Sequence, residues 1–126
     1  MKLRILDNSI RLRLTRTEVE TVNSGGLVRG RVHFGDAKAF EYVLESLPAT
    51  VTPEADISNS VMTVRVPNAD VQKWAKSEQV SISAEQILED GNRLTILVEK
   101  DFACLTPREG EDETDMFPHP NENGPC

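Results

Sequence analysis

The chain has 126 residues, 38% of them hydrophobic, and a net charge of −7; this is enough for one domain, or for two small halves sharing a core, with part of the chain left unpacked. No stretch approaches the roughly 18 apolar residues of a membrane helix, and the start, MKLRILDNSIRLRL, has neither an unbroken apolar run nor a small-residue cleavage site, so no signal peptide is expected. Two cysteines, Cys104 and Cys126, are too few for a disulfide scaffold, and the expected address is the cytoplasm.

The charge is unevenly laid out: residues 1–34 carry +4, residues 35–105 carry −6 and residues 106–126 carry −5. A positive start and a negative end can attract each other or attract different partners. The overall acidity argues against broad nucleic-acid binding, while a local arginine patch can still contact phosphates.

In chain order, LRIL is followed by SIRLRL, in which Ile10, Leu12 and Leu14 alternate with polar residues as in a half-buried strand. Thr15 and Glu18 have capping-box spacing, so a short helix follows, ending at Gly25-Gly26 where glycine takes the left-handed conformation without strain. Strands are expected from Val28 and from Phe40, joined at Gly35-Asp36. Pro48 and Pro53 in LPATVTPEAD interrupt any regular element. ADIS then precedes the alternating strand VMTVRV. A helix capped by Asn68 follows, with Asp70 in its first turn, then a strand from Val80, a turn at Asp90-Gly91-Asn92 and a last strand from Leu94. The ordered part is expected to end near Leu105. Beyond it, four prolines and six acids surround only Met116 and Phe117 as sizeable apolar groups, so residues 106–126 read as a disordered acidic tail.

The same pattern is therefore written twice. At an offset of 52, Ile10, Leu12 and Leu14 fall on Met62, Val64 and Val66, Val19 on Val71, and Val22 on Trp74. Val28 and Val32 fall on Val80 and Ala84, and two inserted residues later Phe40 falls on Leu94. A unit of four strands and one short helix has too little core to stand alone, whereas two can bury their apolar faces about a pseudo-twofold axis. The expected fold is mainly β with two short helices: tandem ββαββ repeats, residues 1–47 and 54–102, forming one barrel-like body over residues 1–105.

The stretch NSIRLRLTRTEVETV with its later GD turn, and VRVPNADVQKW with DGNRLTILV, resemble the AbrB/MazE/SpoVT type of swapped-hairpin module. That resemblance implies a fused pseudo-dimer of modules that ordinarily pair as homodimers, with DNA or a partner protein as ligand. The sequence departs from the pattern at Leu14-Thr15, where Ile-Pro is usual, and at Ser77-Glu78-Gln79, which replaces Gly-Asp. The whole chain also resembles a group of small uncharacterised bacterial proteins, which implies no activity.

Arg4, Arg11 and Arg13 are expected on the outward face of paired strands, with Arg16 just beyond. Guanidinium groups so placed can hold phosphates or carboxylates in bidentate fashion, and they also serve as ordinary solvated edge protection. A two-sided grip on DNA half-sites is not expected, because Arg11, Arg13, Arg16, Arg29 and Arg31 align with Thr63, Arg65, Asn68, Ser81 and Ser83. EGEDETD is either a solvated end or a segment that folds back over the arginines or engages a partner, as the acidic tails of swapped-hairpin antitoxins do. Cys104, Asp112, Asp115, His119 and Cys126 have no recognised metal-ligand spacing, Cys104 reads best as a buried cysteine, and His33 as an exposed strand residue. Nucleophile elbow, phosphate-cradling loop and paired-histidine helix are all absent from the sequence. The chain thus reads as a binding or regulatory protein without a cofactor, with DNA or a protein as partner through Arg4, Arg11, Arg13 and Arg16. The competing class is a small-ligand or metal-binding protein using the body's interior or Cys104 with tail residues.

Overall fold

A computed structural model describes residues 1–103 and 114–118. The elements run β1 (Lys2–Leu6), β2 (Ser9–Leu14), α1 (Arg16–Asn23), β3 (Val28–Gly35), β4 (Lys38–Leu47), then β5 (Glu54–Ser58), β6 (Val61–Pro67), α2 (Asn68–Ala75), β7 (Ser81–Ile87) and β8 (Arg93–Lys100). This is the expected ββαββ unit, twice.

Local chemistry accounts for the boundaries. Thr15 caps α1 reciprocally: its hydroxyl accepts the Glu18 amide at 3.4 Å, and Glu18 Oε1 accepts the Thr15 amide at 3.0 Å. The helix stops at Ser24, and Gly25 takes φ +87°, where a side chain would be strained. The second helix starts differently. Asn68 is its first helical residue rather than its cap, and the capping position falls to Pro67, which offers no side-chain acceptor. Asn59 and Ser60, like Asp36 and Ala37, take left-handed backbone angles in succession, the geometry that two-residue hairpin turns need.

The two units do not fold side by side. Each of two four-stranded sheets takes one hairpin from each unit, in the orders β1-β2-β8-β7 and β3-β4-β6-β5. The parallel junctions repeat exactly: Leu12 stands against Val98 in the first sheet, and Val64 against Leu44 in the second. The hairpins are thus exchanged within one chain about a pseudo-twofold relation. The sheets are separate rather than closed into a barrel, but they share one core. Ile10, Leu12, Leu14, Met62, Val64 and Val66 line it from the central strands, Val19, Val22, Val71 and Trp74 from the helices, and all are buried. The helices pack on each other as well as on the strands.

The registers also relocate the two-residue insertion. Val28 pairs with Leu44 and Ile82 with Val98, so Val28 corresponds to Ile82, not Val80. The extra residues lie between helix and third strand rather than in the following hairpin turn. Val80 accordingly is exposed, whereas Val28 and Ile82 are buried. Val32 and Phe34, whose alternation suggests an inward face, are exposed along with His33 in a strand with an irregular register at His33–Gly35.

Part of the acidic tail packs on the body. Met116 is buried, Phe117 forms a parallel bridge with Phe102, and their rings lie 5.8 Å apart. Backbone bonds run from Ala103 to Phe117 and from Phe117 to Asp101, at 2.7 and 2.9 Å. Residues 114–118 thereby form a strap over the end of β8. Cys104, Asp112, His119 and Cys126 lie outside the described residues.

Candidate functional site

The basic side chains gather on the outer face of the first sheet. On β2, Ile10, Leu12 and Leu14 turn inward and are buried, so Arg11 and Arg13 turn outward. The antiparallel register then sets Arg4 directly opposite Arg11 and Lys2 opposite Arg13. Directly opposed residues share a face, and opposed like charges repel. The parallel partner β8 adds Leu97 beside Arg11 and Glu99 beside Arg13.

Glu99 is the counter-charge at the centre of this face. Its Oε1 lies 2.6 Å from Arg13 Nε and 3.5 Å from Arg11 Nε, and its side chain is 16% exposed. Lys2 is drawn to the buried carboxylate of Asp101 at 3.1 Å. Arg4 is exposed and has no carboxylate partner among the described residues. With Leu6, Ser9 and Arg11 it lines a shallow hollow of about 130 Å³. Two guanidinium groups flanking a small hollow, with one carboxylate shared two residues away, make a surface that gains from an oxyanion.

Three of the four expected arginines are thus brought together, and Arg16 is not. It opens α1, its backbone N–H donates to the carbonyl of Asp115 at 3.0 Å, and its charge acts on the Asp115 carboxylate. Thr17 donates to that carboxylate at 3.0 Å. The hydroxyl of Thr15, then that of Thr17, and the charge of Arg16 together hold Asp115 below its ordinary pKa. Lys2 and Glu99 belong to the site although sequence patterning alone did not single them out. Lys2 was available through alternation with Arg4, but Glu99 depends on a parallel pairing across 86 residues.

The pseudo-equivalent face of the second sheet has the opposite character. Glu54 and Asp56 take the places of Lys2 and Arg4, and Thr63 that of Arg11. Arg65, the counterpart of Arg13, is held by Asp56 at 2.8 Å and Glu45 at 3.3 Å. Hydrogen bonding to Asp56 raises its already high pKa further. Arg29 and Arg31 also belong to this second face, where Arg29 lies 3.7 Å from Glu41. With the corrected register they correspond to Ser83 and Glu85.

Among the described residues no three His, Cys, Asp or Glu side chains form a group able to hold a metal ion, and no helix is long and apolar enough to cross a membrane. The molecule is a mainly β protein in which two ββαββ units share their sheets, with a basic face on one sheet and a largely acid-paired face on the other. Its residues 1–121 match a family of unknown function, DUF7009, and the chain belongs to that family. No curated protein and no solved structure matches it.

Proposed function

We propose that the protein is a non-enzymatic binding module that engages an anionic macromolecular partner through Arg4, Arg11 and Arg13, with Arg16 at the margin. The observation that carries this reading is Arg4, exposed and without a carboxylate partner among the described residues, set directly opposite the like charge of Arg11, while Glu99 and Asp101 temper Arg13 and Lys2. A partner's phosphates or carboxylates would relieve that repulsion by charge-assisted bidentate bonds. The exchange of hairpins between the two units supports the likeness to swapped-hairpin regulators. Because Glu41, Glu45, Glu54 and Asp56 accompany Arg29, Arg31 and Arg65 on the second sheet's outer face, one copy offers one basic face, so the site engaged is single rather than a pair of symmetric half-sites.

The apolar groups of the tail are used on the chain's own body, which supports the sheet face rather than the tail as the partner surface. The test is a titration of a fluorescent random-sequence duplex, and in parallel of polyglutamate, against the wild-type chain and the triple variant Arg4→Ala, Arg11→Ala, Arg13→Ala. The wild type should bind one of these polyanions with an affinity that falls as salt rises, and the variant should lose about tenfold or more at low salt. Equal binding by the two proteins, or none by the wild type to either polyanion, overturns the reading.

A further inference from the structure

The pseudo-twofold relation makes two seams between the sheets comparable position by position. One lies where the β1 edge, at Met1, meets the β3-β4 hairpin at Tyr42, the other between edge strands β5 and β7. The registers pair Leu3 with Ala55, Phe40 with Leu94, Tyr42 with Ile96 and Val32 with Gln86. In the first seam two aromatic rings fill the space. Phe40 and Tyr42 stack with centroids 6.2 Å apart, and the Tyr42 hydroxyl donates to the Met1 carbonyl at 3.1 Å. Gly30 makes room, since a Cβ there would fall 2.2 Å from the Tyr42 ring.

In the second seam three of these four positions carry smaller side chains and the fourth is polar. What results is a cavity of about 500 Å³ lined by Ile10, Ala55, Ile57, Met62 and Leu94, with Gln86 at its wall. This volume lies within the range of small-molecule pockets. Gln86 Oε1 accepts the Ala55 amide at 2.8 Å, which fixes the side chain across the seam. The other end of that amide, Nε2, donates to no protein atom among the described residues. At the rim stand Glu89 and Asp56, the latter already bound to Arg65. Acids at the rim disfavour an anionic ligand.

We propose that the β5/β7 seam binds a small neutral molecule with an apolar, ring-containing body and one hydrogen-bond acceptor. The body takes the space that Phe40 and Tyr42 occupy in the other seam, and the acceptor meets the Gln86 amide N–H. This site is independent of the arginine face, which lies on the outer side of β1 and β2, at the opposite edge of the first sheet from β7.

The probe is Nile red, neutral, polycyclic and bearing a ring carbonyl, titrated into the full chain by fluorescence. Ala55→Leu and Leu94→Phe install the residue type found at the equivalent place in the first seam, and each should weaken binding about tenfold or more while circular dichroism stays unchanged. Gln86→Leu, which leaves the cavity apolar and removes both the ligand's donor and the acceptor of the Ala55 amide, should weaken Nile red severalfold. Amide shifts on titration should fall at Ala55, Met62 and Leu94, and the triple arginine variant should bind as the wild type does. Failure of the wild-type chain to bind, or shifts confined to the exposed Ile5 and Phe34, overturns the proposal; so does undiminished binding by both filling variants, or, should they unfold, by Gln86→Leu.

Discussion

Trp74 occupies in α2 the place that Val22 occupies in α1, and both are fully buried. One half of the molecule therefore contributes a large ring where the other contributes a small branched side chain, and their sum fills the space between the helices and the strands. The indole N–H is also satisfied, donating to the Val80 carbonyl at 3.0 Å. Trp74→Ala removes the ring and one of that carbonyl's two donors, the Lys100 amide remaining at 3.1 Å. The expected loss is about 3–5 kcal/mol in urea-induced unfolding, and Trp74→Phe, which keeps most of the volume, should lose clearly less. The importance of this residue was legible from the 52-residue offset alone. Lys100 was not: it ends a β-strand as an ordinary surface lysine would, yet it is 7% exposed, with Nζ on the Ser77 carbonyl at 2.8 Å and over the Phe117 ring at 5.3 Å. Desolvation lowers its pKa, in an environment made by the loop after α2 at Ser77 together with the return of residues 114–118 over β8.

Among the elements, the strap formed by residues 114–118 carries a pH dependence. The Asp115 carboxylate is stabilised in its charged form by Thr15, Thr17 and Arg16, so its folded pKa lies below its free value. A carboxylate so shifted contributes stability in full above the ordinary carboxylate range and loses it as the pH falls through the folded pKa. As the pH falls below about 4 the strap's hold on α1 should therefore weaken progressively, read as a shift of the Met116 methyl resonance toward its random-coil position. Asp115→Asn should loosen the strap at neutral pH and flatten this acid response. Composition pointed to an unpacked tail, because acids and prolines dominate it, but pattern reasoning cannot weigh two adjacent apolar residues against a pocket whose walls come from elsewhere. The strands were far easier to read, since the alternation of SIRLRL and VMTVRV is a direct record of a buried face. The helix-to-strand loops were not, because loop length has no period, and a slip of two residues there misassigned the counterparts of Arg29 and Arg31.

For the whole molecule, hairpin exchange means that neither half owns a complete sheet. The internal duplication announced the two units, and the outward arginines could be placed from alternation. The mixing of the units could not, because it rests on the contacts β2·β8 and β4·β6, which join distant parts of the chain. The charge difference between the two outer faces is moderated by that mixing: each face combines a first hairpin from one repeat with a second hairpin from the other, so Glu99 of the last strand ends up tempering arginines of the second.

The path from β4 to β5 has a consequence of its own. It must step over β6, which lies between them, a lateral distance of about 9.5 Å for two strand spacings. Residues 48–53 cover this comfortably, but cutting the bridge to one residue leaves a reach of about 7 Å. Such a shortened chain could no longer complete itself, and two copies would trade halves, recreating the β2·β8 and β4·β6 pairings in trans while each hairpin stays within its own chain. Light scattering should then report a doubled mass, with the circular dichroism spectrum of the parent retained.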